Sequence, residues 1–347
     1  MKIAISDRLR SFSHISGHHV MVPGTFIALQ VFPTELSWGP LGEQSSFMTL
    51  DLKGPMDPFT VEQDLDAKLV RIYGQSQKGY FRMSVKVEKT GSLMLRFEKT
   101  PADGISITYQ EEVKRFFSGD AFPMCLMELN ELSSQEKLFL GIGKQKEWER
   151  MRDRKDLREI LPLWYALGNT FPREKEENTF FPALDEAISK KERQKAYDLL
   201  LLTYLAHFSA GLFPRKEDAE KQGIAPLVDS AKDLLPQGSK SIRSLFFQDK
   251  EDGWHFLPCL PSQFVCGKMT DIQTENGCTI DLEWTKHRLR KMKIVVPRDQ
   301  ELRLHLPTEI KTFRMKRSFK DRGKVLSTPV EVFTVPAGEI WLDLFQR

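Results

Sequence analysis

The residues able to do chemistry in this chain are scattered. Of seven histidines, His18 and His19 are adjacent, so on a strand they face opposite ways and do not grip one ion together. His14 and His18 would share a helical face, but no third ligand with metal spacing accompanies them. We expect no metal site and no cofactor. Cys125, Cys259, Cys266 and Cys278 contain no CxxC pair, which argues against structural zinc. The last three are close enough to pair, or they are small apolar residues in a reducing compartment, which is the commoner outcome. Glu217, Asp218 and Glu220 offer clustered carboxylates, ordinarily a solvated helix face. Trp164, Tyr165, Trp254 and His255 either present aromatic faces to a sugar ring or pack a domain junction. His255 suits fixing that junction by a hydrogen bond better than acid–base work.

The run KTFRMKRSFKDRGK, 311–324, holds seven basic residues with Phe313 and Phe319. Such a run can meet phosphate, nucleic acid or an acidic surface, or be a solvated strand pair. The net charge of +3 excludes a strongly basic nucleic-acid binder, so nucleic acid is not the expected partner. No GxGxxG, GxxxxGK[ST] or GxSxG motif occurs, which leaves nucleotide binding and a hydrolase elbow without support. The segment MKIAISDRLRSFSHISGHHVMVPG is interrupted by Asp7, arginines and histidines. It reads as neither signal peptide nor membrane span, and the expected location is the cytoplasm.

The elements that must position these residues change character along the chain. The first 120 or so residues alternate with period 2. RMSVKVEK sets Met83, Val85 and Val87 against Ser84, Lys86 and Glu88, and SLMLRFEK repeats the pattern after Gly91, so the pair predicts a β-hairpin around KTGS. TFIALQVFPTELSW predicts another strand, ended near Pro33. From about residue 130 the period becomes helical. Trp148, Met151 and Arg152 form one stripe; Leu157, Ile160, Leu161 and Trp164 form another, with Pro162 expected to break or kink the helix. LDEAISKKERQKAYDLLLLTYLAHFSAGLF predicts a long helix stopped at Gly211, and SKSIRSLFFQ, 239–248, a further amphipathic piece. Alternation returns after residue 253: Cys278, Ile280, Leu282 and Trp284, then Met292, Ile294 and Val296, then Leu302, Leu304 and Leu306. PAGE marks a turn between two last strands. One apolar and one polar face is the habit of antiparallel sheets.

DGWHFLPCLPSQFVCGKMTDIQTENGCTIDLEW joins the helical part to these strands. LPCLP cannot be helix interior, because prolines remove donors and restrict their predecessors; it predicts an extended, buried crossing. The segment resembles the junction between the α/α-barrel and the C-terminal β-domain of family 95 (α-L-fucosidase-like) glycoside hydrolases. Asp252, Gly253, His255, Leu257, Pro258, Leu260, Pro261, Gly267, Gly277, Ile280, Asp281 and Trp284 carry it, and GSKSIRSLFFQD, 238–249, is similar to the family's preceding helix. The resemblance spans about 105 residues, from about 233 onward. It implies a catalytic role for Asp233, which stands where the family's DGNFGGT supplies a carboxylate of the general-base apparatus. Leu234, Leu235, Pro236 and Gln237 replace that motif's following residues, and no residue here matches the family's acid. An inverting glycosidase needs both an acid and a base.

These readings predict an α+β chain of three parts. Residues 1–125 form a β-sandwich, 126–250 a short helical domain resembling a reduced α/α-barrel, and 251–347 a C-terminal antiparallel β-sandwich. The expected function is that of a carbohydrate-active protein, hydrolysing or binding a glycoside with Asp233 as base and Trp164, Trp254 and His255 at the sugar. The alternative is a non-catalytic interaction protein that kept the scaffold. Carbohydrate is the expected partner, and no membrane association is predicted.

Overall fold

The computed structural model describes residues 3–41, 43, 45–126, 135–143, 146–171, 181–214, 231–317, 321–328 and 332–346. It is β-rich, with antiparallel sheets and five described α-helices. The first twelve strands are β1 (Arg10–Ser13), β2 (His18–Met21), β3 (Ile27–Val31), β4 (Glu35–Pro40), β5 (Ser46–Leu50), β6 (Phe59–Asp64), β7 (Leu69–Ser76), β8 (Gly79–Val87), β9 (Ser92–Lys99), β10 (Ile105–Tyr109), β11 (Glu112–Phe116) and β12 (Ala121–Leu126). They make two six-stranded sheets, β1-β6-β7-β8-β9-β12 and β11-β10-β5-β4-β3-β2. The sheets share one apolar core, because alternation sends Phe81, Met83, Val85, Leu93, Leu95 and Phe97 of one inward against Leu29, Leu36 and Met48 of the other. The expected hairpin forms, with Val87 opposite Leu93. TFIALQVFPTELSW is two strands, β3 and β4, which pair Val31 with Leu36 across a turn containing Pro33.

β13 (Lys137–Phe139) precedes the helices, yet it pairs with a much later strand, Leu138 opposite Met269. Helix α1 (Trp148–Arg154) ends at Lys155, held in the left-handed region at φ 53. Asp156 then opens α2 (Leu157–Gly168), its carboxylate accepting the Arg158 N–H at 3.0 Å. The helix continues through Pro162, although a break or kink was expected there. Both flanks are locked in the core: Ile160, Leu161, Leu163 and Trp164 are wholly buried, and packing outweighs one missing backbone bond. The predicted long helix divides into α3 (Pro182–Ser189) and α4 (Arg193–His207) at Lys191, φ 57. Helix α5 (Ala231–Phe246) is longer than the amphipathic piece predicted at 239–248 and contains Pro236 in its second turn.

The remaining strands are β14 (Phe247–Lys250), β15 (Gly253–Phe256), β16 (Cys266–Gln273), β17 (Thr279–Thr285), β18 (Arg288–Val296), β19 (Gln300–Leu302), β20 (Leu304–His305), β21 (Thr312–Lys316), β22 (Lys324–Ser327), β23 (Phe333–Val335) and β24 (Gly338–Gln346). A seven-stranded sheet runs β13-β16-β17-β18-β24-β21-β22, beside a three-stranded sheet β14-β15-β20 and the pair β19-β23. The predicted alternation holds: Ile280, Leu282 and Trp284 of β17, and Met292, Ile294 and Val296 of β18, are buried. They do not form a core of their own. They share one with all five helices, where Trp284 stacks on Phe246 at 5.2 Å between ring centroids.

The LPCLP segment crosses as predicted, and its backbone has a specific task. The Leu257 N–H donates to the Phe246 carbonyl at 2.8 Å and the Cys259 N–H to the Leu245 carbonyl at 3.3 Å. These are carbonyls that the end of α5 leaves without intrahelical donors. All four cysteines are free thiols. Among the described residues, no helix is long and apolar enough to cross a membrane.

Candidate functional site

The site is built where β14, β15 and β20 meet. β14 and β15 form a tight hairpin whose turn is Glu251–Asp252, and Gly253 follows at φ +127. Glycine is required there twice over: the backbone is in a region side chains avoid, and a Cβ would lie 2.7 Å from the Arg303 carbonyl oxygen. That close approach lets β20 run parallel to β15, with Trp254 opposite Leu304 and His255 opposite His305. The Trp254 N–H donates to the Arg303 carbonyl at 2.9 Å.

Strand alternation then sorts the side chains. Trp254 turns inward, only 3% exposed, with its ring 6.4 Å from that of Phe247. His255 turns outward beside His305. The two imidazoles lie parallel, 4.1 Å between centroids and 7° between planes. Both direct Nε2 at the turn residue. His255 Nε2–H donates to the Asp252 carboxylate at 2.9 Å, and His305 Nε2–H donates to the Asp252 backbone carbonyl at 2.8 Å, with its Nε2 also 3.7 Å from Oδ2. The His255 hydrogen bond holds the Asp252 carboxyl below the usual carboxylate range.

A groove of about 960 Å³ opens beside this turn. Asp249, Glu251, Asp252, Glu275 and Glu301 line it, with Lys250, Arg303 and Trp254. Carboxylates outnumber cations, so its field favours cations and hydroxyl donors over anions. Asp252 also borders a second cleft with His305, Leu306 and Thr308, and so stands on the ridge between the two.

The other predicted site residues lie elsewhere. Trp164 is wholly buried in α2, packed edge-on against Phe208 with ring centroids 4.8 Å apart. A Cβ on Gly238 would come within 2.2 Å of its ring. It therefore offers no face to a sugar, and glycine at 238 is what lets α5 press on it. Tyr165 is equally buried and donates its hydroxyl to Glu136. Glu136 also receives Arg243 Nε at 3.0 Å and the Gln273 N–H at 3.1 Å, a charged knot joining α2, α5 and β16. Burial, then the Glu136 charge, pushes the Tyr165 hydroxyl well above its ordinary value. Asp233 is half-buried in the first turn of α5. Thirteen residues of helix, roughly 20 Å at about 1.5 Å each, separate it from Phe246 where the groove's hairpin begins. Glu217, Asp218 and Glu220 lie outside the described residues.

His18, singled out as a metal candidate with His14, is buried on β2, and burial lowers it to a pKa of about 4. His14 Nδ1 instead meets the Phe59 carbonyl and the Thr60 hydroxyl, each at 3.0 Å. In the basic run, Arg314 pairs with Asp343 at 2.8 Å, Lys316 approaches the same carboxylate, and Phe313 is core. Phe319 lies outside the described residues. Sequence reasoning missed His305, which lies 50 positions after His255. The available signal was the polar His in LRLHLP, alternating with leucines.

Residues 248–341 match the family model of glycoside hydrolase family 95, C-terminal domain. The match is confined to the C-terminal part of the chain, as the junction motif predicted. A search of the curated proteins finds no match.

Proposed function

We propose that this is a carbohydrate-active protein that binds a glycoside in the groove beside the β14–β15 turn. The observation that carries the reading is positional: every residue lining the groove lies within the segment, 248–341, that matches a glycoside hydrolase domain. The groove is open and polar, and its carboxylates, Asn276 and Arg303 are hydrogen-bonding partners suited to sugar hydroxyls. The helical middle would then occupy the place of a reduced α/α-barrel.

Binding in the groove is favoured over hydrolysis there because Asp233 stands roughly 20 Å of helix before the groove's hairpin. In the hydrolytic reading Asp233 is the general base and needs an acid about 6.5–9.5 Å away. Among the described helical carboxylates, Asp185 has the raised pKa an acid needs, through burial. It accepts a hydrogen bond from Ser241, eight residues further along α5 than Asp233, roughly 12 Å up the helix axis.

The test is calorimetry with a panel of mono- and oligosaccharides, L-fucosides included, on wild type, Glu301→Gln/Arg303→Ala and Asp233→Asn. Binding by wild type and Asp233→Asn, lost or weakened at least about tenfold in the groove variant, is the expected result. A saturating sugar at about 100 times Kd should add about 2.7 kcal/mol of stability. Binding that survives in the groove variant overturns the location. Release of reducing sugar that Asp233→Asn abolishes restores the hydrolytic reading. A folded wild type that binds no sugar leaves the scaffold reading.

A further inference from the structure

The geometry points to a divalent transition-metal site formed by Asp252, His255 and His305, with Zn²⁺ as its natural occupant. Each residue offers one ligand atom, and these atoms lie within 4.8 Å of one another. A tetrahedral ion bound at about 2.1 Å needs ligand atoms roughly 3.4 Å apart. His255 Nε2 lies 2.9 Å from Oδ1 of Asp252 and His305 Nε2 lies 3.7 Å from Oδ2, so a side-chain rotation that turns one carboxylate oxygen toward both rings brings the three ligand atoms to that spacing.

The backbone preorganises the pair. Parallel register places His255 directly opposite His305, and the stacked rings direct both Nε2 atoms toward the same residue, Asp252. On metal binding each imidazole shifts its proton from Nε2 to the solvent-facing Nδ1, which leaves the Nε2 lone pairs for the ion, and the Asp252 carboxylate becomes the third ligand. Two imidazoles and one carboxylate favour Zn²⁺ over Mg²⁺ or Ca²⁺, which prefer all-oxygen shells. The surroundings carry the right sign, since Asp249, Glu251 and Glu301 line the adjoining groove against Lys250 and Arg303. Three protein ligands leave a fourth position, and it faces outward, because the Asp252 and His305 side chains are 60% and 45% exposed. A bound ion would clip the β14–β15 turn to β20. The inference does not depend on sugar binding.

The experiment uses untagged full-length protein stripped with chelator, titrated with ZnCl₂ by calorimetry and, separately, with Co²⁺ followed by visible absorption. The expected result is one ion per chain in the micromolar range, a rise in melting temperature, and the d–d bands of Co²⁺ with nitrogen ligands. His305→Gln and His255→Gln should each weaken binding at least about tenfold, and Asp252→Asn should do so with little effect on folding, since its side chain is exposed. Equimolar Mg²⁺ or Ca²⁺ should not compete. Absence of wild-type binding at millimolar ZnCl₂ overturns the proposal. So does binding of unchanged affinity in Asp252→Asn and in a folded His255→Gln/His305→Gln variant, which would place the ion elsewhere.

Discussion

The N-terminal sandwich and the helix-backed C-terminal sheet use different means to settle their interiors. The sandwich core is made by the hydrophobic side chains of two alternating faces pressed together. The other core joins helices to a sheet, elements whose side-chain periods do not match. At their seam stands the knot of Glu136, Tyr165 and Arg243, in which a fully buried carboxylate receives three donors. Apolar burial is non-directional and tolerates small shifts. A buried charge is not, and it fixes how α2 and α5 sit on β16.

The largest expected effect comes from breaking that knot. Arg243→Met leaves Glu136 buried without its cation and should cost about 3–5 kcal/mol, read as a fall in the urea midpoint. Replacing both partners, Glu136→Leu with Arg243→Met, should recover much of the loss. If the double variant is no more stable than the single one, the knot does more than balance its own desolvation.

A smaller effect tests the boundary between the two regions. His18 lies on β2, where a Cβ on Gly211 of the 3₁₀ turn after α4 would come within 3.1 Å of its Nε2. Burial, then the neighbouring His19, lowers His18 from 6.5 to about 4. The unfolded chain therefore binds the extra proton first, and stability is lost as pH falls from about 6.5 toward 4. The full loss is about 3 kcal/mol. Urea midpoints at pH 7, 5 and 4 should fall accordingly, and His18→Gln should flatten the decline. An unchanged slope in that variant would assign the acid sensitivity to other groups.

The smallest effect is local. Asp156→Ala removes the cap of α2 and should cost about 1 kcal/mol. Because α2 belongs to the second core alone, hydrogen exchange should rise there and not in the sandwich. Exchange rising equally in both regions would show that they unfold as one unit.

Much of the fold was legible in the sequence, and the reason is local. Period-2 runs such as RMSVKVEK and GCTIDLEW have one face to bury, and they bury it. The LPCLP segment excludes helix by its prolines, and the DGWHF…LEW pattern placed the C-terminal match. Helix limits were less legible. Pro162 sits inside a helix because its neighbours are wholly buried, and Lys191 divides another by adopting a left-handed backbone. Neither choice is written in the few residues around it.

The sequence by itself determined which residues face inward along strands such as β9 and β17, because side-chain periodicity is a property of the local chain. Only the tertiary structure decided what meets across distance. It carried Leu138 to a sheet whose next strand begins at Cys266, set Arg243 on Glu136 across 107 positions, and laid His305 on His255. It also turned Trp164 into core, where a sugar platform was expected. Hydrogen bonds and ligand sets need ångström-scale placement of groups far apart in the chain, and that placement comes from register and packing, which no local pattern records.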